Sequence, residues 1–316
     1  MKTWKANIMI LIAAMFWGGG FVATDRVIQH ISPVQMQTLR FSMSALLCLI
    51  LFHKKIAKVN KQSVFFGVVI GIAFFLAMTF QNYGLVFTTI PKNAFITVTN
   101  VIWSPLLGYL FFRSKINGSI WKGIIIMMIG FIFLLFEIDI FNFTQSIRQV
   151  SELTHLNFGD FLTLLSAILF ALQFVLQDKF VDKQDPVVIL TFQLITASIL
   201  SLISATVIHE SVFAIPLDAL QVVILPIIFL VICPTIISFG FVLIAQQYIK
   251  PSNTAILVST ESLFATLFAI VLGQANFHIA IVIGAIIITC GIIYAETGFK
   301  FGKKYQHLEE KSYEQI

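Results

Sequence analysis

The sequence predicts an all-α integral membrane protein with ten transmembrane helices in two inverted five-helix repeats. Three observations carry that expectation. The chain is 58% hydrophobic and only 11% charged, whereas a soluble domain carries about 25% charged residues. Its apolar residues gather in runs near the ~20 residues that a spanning helix needs. The two halves also match one another at nearly constant offsets, with an odd number of runs in each.

The ten runs cover residues 6–27, 34–52, 64–87, 91–112, 120–136, 160–180, 186–208, 219–247, 251–273 and 276–297. Short connections between them suit antiparallel neighbours. Lys2 and Lys5 precede the first run, which continues through Trp17 and Gly18-Gly19-Gly20 without a convincing cleavage site; it is expected to stay as an uncleaved first helix. Pro105 and Pro234 fall inside the fourth and eighth runs. Each removes a backbone donor and is expected to kink its helix. Residues 137–158 form the longest connection and divide the chain into two units, 1–136 and 159–298, followed by a polar tail, 299–316. The 33 phenylalanines are spread over all the runs, as lipid-facing and packing residues would be.

Lysine and arginine set the orientation. With the N-terminus inside, the inner segments hold sixteen of the 20 basic residues, among them Lys54, Lys55, Lys58, Lys61, Lys115, Lys183 and Lys300. The outer segments hold Arg26, Lys92 and Arg148, and Arg40 lies within the second run. This bias predicts both termini in the cytoplasm and a multi-pass protein of the plasma membrane, the bacterial inner or cell membrane. It also accounts for the +5 net charge, so nucleic acid is not an expected partner.

The repeat rests on polar and special residues, not on apolar likeness. An offset of 153 pairs Phe21 with Phe174, Asp25 with Asp178, Arg26 with Lys179 and Pro33 with Pro186. It also pairs Trp17 with Phe170, Gly20 with Gln173, Thr24 with Gln177, and Arg40 with Gln193. An offset of 160 pairs Pro91 with Pro251 and Asn93 with Asn253; one of 161 pairs Gly123 with Gly284 and Gly130 with Gly291. Five spans per unit would insert the second unit upside down relative to the first, an architecture of secondary transporters that hold solute near mid-membrane.

AAMFWGGGFV in the first run, LRFSMSALL in the second and NAFITVTNVIWSPLLGYLFF in the fourth resemble the EamA-type members of the drug/metabolite transporter superfamily. In the second half GDFLTLLSAILFALQFVLQ, NTAILVSTESLFATLFAIVLG and GAIIITCGII extend the resemblance over nearly the whole chain. It implies two inverted five-helix repeats and the movement of small metabolites, often amino acids or related compounds, without ATP hydrolysis. Where the family has a Glu-Pro pair this chain has Glu261-Ser262. The family's acidic residue after Leu-Gly is Gln274, and its partner position is Ser114. Without the proline, the helix is expected to continue through Ser262 unkinked.

Glu261 is the leading candidate for chemistry. It stands ten residues beyond Pro251, roughly 15 Å along a helix and so near the middle of a ~30 Å hydrocarbon core. A carboxylate there is costly and points to a function. Asn93, Thr97, Asn100 and Ser104 form one polar stripe at helical spacing, either a wall facing solute or a set of interhelical hydrogen bonds. Gln173 and Gln177 share a face with Thr163, Ser166 and Phe170; Gln81 and Asn82 stand near Thr79, and Gln246 near the end of the eighth run. Trp17 is either an aromatic floor for solute or a packing partner of the adjacent glycines. Arg40 is open to three roles: binding a substrate carboxylate, pairing with Asp25, or snorkelling to the outer interface.

The expected function is a secondary transporter of a small organic metabolite, with export as the direction, the bilayer as its medium and proton coupling through Glu261. A membrane-embedded enzyme, a channel and a non-transporting scaffold are the competing classes. No HExxH or GxSxG motif occurs. Cys48, Cys233 and Cys290 lie in apolar runs without metal-ligand spacing, and His209 and His278 stand apart from other ligands. No cofactor and no metal is expected. Amides and hydroxyls suit polar or zwitterionic solutes better than multiply charged phosphates, which favour clusters of Arg and Lys.

Overall fold

The computed structural model describes residues 2–57, 59–114, 118–136, 157–181, 184–212, 214–273, 277 and 279–297. Connection residues 137–156, including Arg148, lie outside them. So do the tail 299–316, Lys58, Lys115, Lys183, Gln274 and His278.

Every described element is helical. In chain order they are α1 (Thr3–Ile28), α2 (Pro33–Ile56), α3 (Lys61–Phe87), α4 (Ile90–Val98), α5 (Asn100–Phe112), α6 (Gly118–Phe136), α7 (Phe158–Val181) and α8 (Pro186–Val207). Next come α9 (Leu217–Leu230), a π-helical turn (Val231–Ile237), α10 (Ser238–Gln246), α11 (Pro251–Val258), α12 (Glu261–Val271) and α13 (Ile279–Thr297). Counting α4 with α5, α9 through α10, and α11 with α12 as interrupted rods, eight helices are long and apolar enough to cross a membrane. Two shorter apolar helices, Gly118–Phe133 and Ile279–Ala295, complete the set.

Local chemistry sets the helix starts. Ser32 and Gln35 form a reciprocal capping box at α2, each side chain bonding the other's backbone N–H at 3.0 and 3.2 Å. Asn60 caps α3 through the Ser63 N–H at 2.7 Å, and Asp185 caps α8 through the Val187 N–H at 2.9 Å. Pro33, Pro91, Pro186 and Pro251 occupy first-turn positions, where a missing N–H is harmless.

Two helices are interrupted where no break was expected. In the fourth segment the break is at Thr99, six residues before Pro105. In the ninth, α11 ends at Val258 and α12 starts at Glu261. Ser262 lies inside α12, and the break precedes it, at Ser259–Thr260. The cause is hydroxyl back-bonding. Thr99 Oγ1 donates to Ile96 O at 2.7 Å. Ser259, Thr260 and Ser262 donate to Ile256, Leu257 and Ser259 carbonyls at 2.6, 2.8 and 3.0 Å. These side chains compete for carbonyls of the helical ladder, and three-residue turns such as Ile102 N to Thr99 O and Leu263 N to Thr260 O carry the chain across. At the offset of 160, Thr99 corresponds to Ser259.

Close glycine contacts hold the helices together. A Cβ at Gly123 would lie 2.8 Å from Gly291 O, and one at Gly130 would lie 2.8 Å from Gly284 O. α6 and α13 therefore cross backbone to backbone, as small residues allow in membranes. A Cβ at Gly18 would lie 2.6 Å from Phe264 Cβ and 2.7 Å from Ala265 N, which seats α1 on the start of α12.

Contacts between the halves define two ends of the bundle. At one, Asp160 at the start of α7 pairs with Lys92 at 2.6 Å and accepts from Thr88 Oγ1 at 2.9 Å. Asn157 there donates to Phe87 O at 2.9 Å. At the other, Lys55 meets Asp185 at 2.8 Å and Ser63 donates to Gln184.

Candidate functional site

Side chains from both halves line one cavity. Its floor and walls are mostly apolar: Phe21, Met78, Leu85, Phe170, Phe174, Phe239 and Val258 surround it, together with Pro234 and Gly20. Seven of the eleven candidate residues line it: Trp17, Arg40, Gln81, Asn82, Thr97, Asn100 and Glu261. Thr24 joins them.

Several of its polar groups are held by neighbouring elements. Trp17 Nε1 donates to Pro234 O in the π-helical turn at 2.7 Å, and its ring lies 4.8 Å from Phe239 and 6.4 Å from Phe174. Trp17 is thus a positioned aromatic wall, while Gly18 alone of the three glycines makes the close backbone approach. Gln81 Nε2 donates to Thr97 Oγ1 at 3.1 Å. Asn82 Nδ2 donates to Gln37 Oε1 at 3.0 Å, and Gln37 Nε2 to Thr79 Oγ1 at 2.7 Å. Gln37 was not singled out in the sequence, although its position three residues before Arg40 on α2 puts it near the same face.

The two charges are the unusual feature. Arg40 is 4% exposed and Glu261 5% exposed. Arg40 Nε donates to Thr235 Oγ1 at 2.7 Å. Among the described residues neither Arg40 nor Glu261 belongs to an ion pair, and they do not pair with each other. Asp25 instead accepts from Gln29 at 2.8 Å, so of the three roles open to Arg40, pairing with Asp25 and snorkelling are both set aside. Glu261 is the first residue of α12, where a carboxylate also meets the positive end of a helix.

Four candidates lie elsewhere. Asn93 Nδ2 donates to Thr163 Oγ1 at 2.9 Å and to Gln81 O at 3.1 Å, tying α4 to α7 and α3. Gln246 Nε2 donates to Phe174 O at 3.2 Å, and Gln177 Nε2 to Gln193 Oε1 at 3.4 Å. Gln173 is fully buried with no protein partner for its amide. Among the described residues no cluster of three His, Cys, Asp or Glu side chains is placed to hold a metal.

Comparison with known proteins follows the same lines. The sequence profile of the EamA-like transporter family matches residues 4–136 and 157–296. An uncharacterized transporter of Archaeoglobus fulgidus is 26% identical over 277 residues, which span 85% of this chain and 79% of the relative. YoaV, an uncharacterized transporter of Bacillus subtilis, is 23% identical over 307 residues, 91% of this chain and 95% of its own. A solved crystal structure superposes with a TM-score of 0.71 at 16% identity, covering 92% of this chain and 96% of that one. It shares the helical fold.

Proposed function

Because the chain belongs to the EamA-like transporter family, a multi-pass membrane transporter, we propose that it moves a small polar or zwitterionic metabolite, an amino acid or related compound, through the cavity lined by α1, α2, α3, α4–α5, α7, the π-helical turn, α10 and α11–α12. The observation that carries this reading is the pair of unpaired charges, Arg40 and Glu261, facing one apolar cavity from opposite halves. An unpaired charge inside a membrane is retained only where it serves a solute, an ion or a proton. Arg40 keeps guanidinium N–H groups for a solute carboxylate. Glu261 receives a solute ammonium or carries a proton; Arg40 is the other charged side chain lining the cavity.

Ten spans in two inverted repeats, residues 1–136 and 159–298, joined by the outer connection 137–158 and ending in the cytoplasmic tail 299–316, give the cavity its alternating access. Two features support the inversion. The glycine crossing of α6 and α13 is reciprocal: Gly123 meets Gly291 and Gly130 meets Gly284, while the sequence pairs Gly123 with Gly284 and Gly130 with Gly291. A two-fold axis produces that exchange of partners. The interruptions at Thr99 and Ser259–Thr260 also correspond, and discontinuous helices in matching positions mark transporter solute sites. The protein sits in the bacterial cell membrane with both termini cytoplasmic, and export is the direction.

A thermal-shift screen of amino acids, nucleobases, sugars and cationic drugs on detergent-purified protein identifies the solute. A ligand at 100 times its Kd stabilises the folded state by about 2.7 kcal/mol. A hit whose shift disappears in Arg40→Gln supports the reading; equal shifts in both proteins contradict it.

A further inference from the structure

We propose that the crossing of the two interrupted helices binds a monovalent cation, sodium, with the Glu261 carboxylate and Asn100 Oδ1 as side-chain ligands and the Val98 and Val258 carbonyls as backbone ligands. The site rests on the transporter reading of the cavity and gives that cavity an ion.

Packing brings the two breaks together. α4 lies against α12, and α11 against α5, so the rods α4–α5 and α11–α12 run antiparallel and cross at their interruptions. Ala94 of α4 and Ala265 of α12 share one cluster with Phe21. One turn from each toward its break stand Val98 and Glu261, at a common level. Val101 and Val258 belong to one core cluster on the other side of the crossing. Thr97, Asn100, Val258 and Glu261 all line the cavity.

The oxygens at this crossing are available to a ligand. In an unbroken helix the Ile102 and Ser262 N–H groups would bond Val98 O and Val258 O. They bond Thr99 O at 2.9 Å and Ser259 O at 3.4 Å instead, which takes both carbonyls out of the helical ladder at the negative ends of α4 and α11. The two changes of partner correspond at the offset of 160. Asn100 is 2% exposed. Buried side-chain atoms without a partner are scattered through the described residues, and Asn100 Oδ1 is the one among them that belongs to a cavity-lining residue. Glu261 has no ion-pair partner among the described residues. Carboxylate, amide and carbonyl oxygens suit a hard cation, and unwound carbonyls with half-helix C-terminal ends coordinate coupling ions in secondary transporters. One carboxylate balances one positive charge, whereas tight calcium sites gather several.

Sodium on Glu261 leaves Arg40 for a solute carboxylate, so each fixed charge of the cavity gains one opposite partner. A proton and sodium are alternative occupants of Glu261. Arg40 of α2 is the other charged side chain lining the cavity. Among the elements around the crossing, α5 and α11 carry no charged residue, and Lys5, Asp25, Arg26 and Lys92 stand in the end turns of α1 and α4.

Thermal unfolding of the detergent-purified protein, without solute, tests the site. Sodium chloride is compared with choline chloride at equal ionic strength. Sodium is expected to give a saturable rise in unfolding temperature, and Glu261→Gln and Asn100→Leu are each expected to lose it. Equal unfolding temperatures in the two salts, or a sodium-specific rise that survives in either variant, overturn the site; a solute shift that disappears in Arg40→Gln then leaves the transporter reading standing. A sodium-specific rise lost in both variants upholds the ion site, even where a solute shift persists unchanged in Arg40→Gln and so contradicts the solute reading. If the variants do not fold, equilibrium dialysis of radioactive sodium against the unsubstituted protein decides: saturable binding upholds the site and its absence overturns it.

Discussion

Arg40 Nε donates to the Thr235 hydroxyl at 2.7 Å, while that hydroxyl gives its own proton to Leu230 O at 2.6 Å. The second bond spans five residues, the spacing of the π-helical turn, so the wide turn and the placement of Arg40 are one arrangement. π-turns occur at functional sites, and this one also supplies the carbonyl that orients Trp17.

Thr235→Val keeps the shape and removes both bonds. The Arg40 guanidinium then loses its hydrogen bond to Thr235. The expected cost is about 1–3 kcal/mol of stability, with weaker binding of the solute identified by thermal shift. Thr235→Ser restores the hydroxyl and is expected to behave like the unsubstituted protein. Thermal unfolding in detergent and ligand titration check both variants.

Gly18 and Gly19 are adjacent but differ in what surrounds them. Gly18→Ala drives a methyl against Phe264 Cβ and the Ala265 backbone, both within 2.7 Å, and is expected to cost about 1–3 kcal/mol by prying α1 from α12. At Gly19 the nearest atom is the tip of the Phe229 ring at 3.2 Å, which can swing aside. Gly19→Ala is expected to stay within about 0.5 kcal/mol. A chemical or thermal unfolding series that ranks them in the reverse order contradicts the packing described.

Asp160 gathers Lys92, Thr88 and the Asn157 N–H around one nearly inaccessible carboxylate. Asp160→Ala removes the acceptor for all three. Its expected effect is a loss of about 3–5 kcal/mol, the range for breaking a buried pair from one side. Lys55→Ala, at the exposed pair with Asp185, is expected to cost less than about 1 kcal/mol. Unfolding midpoints of the two variants give the comparison.

Much of this arrangement was legible in the sequence because apolar length is a local property. The runs, the offsets and the glycines of α6 and α13 could all be read directly. The breaks were not. Ser259, Thr260 and Ser262 look like ordinary small residues of a membrane helix, and back-bonding to a carbonyl three residues earlier is a choice made by each rotamer. The direction of a stripe was equally hidden. Phe170 and Phe174 face the cavity while Gln173 and Gln177, on the same broad side of α7, do not. One residue turns a helix by about 100°, so the stripe shows that a face is polar and leaves open which neighbour it meets. Arg40 finding Thr235, 195 residues away, has no local signal at all.

Arg40 and Glu261 face one cavity, and the proton-carrying role proposed for Glu261 is open to direct measurement. The most direct measurement supplies the solute found by thermal shift outside proteoliposomes, with a pH gradient imposed across the membrane. The unsubstituted protein is expected to accumulate solute in response to the gradient. Glu261→Gln, folded and still able to bind, is expected to lose that response. Gradient-driven accumulation at the unsubstituted rate in Glu261→Gln would contradict the account.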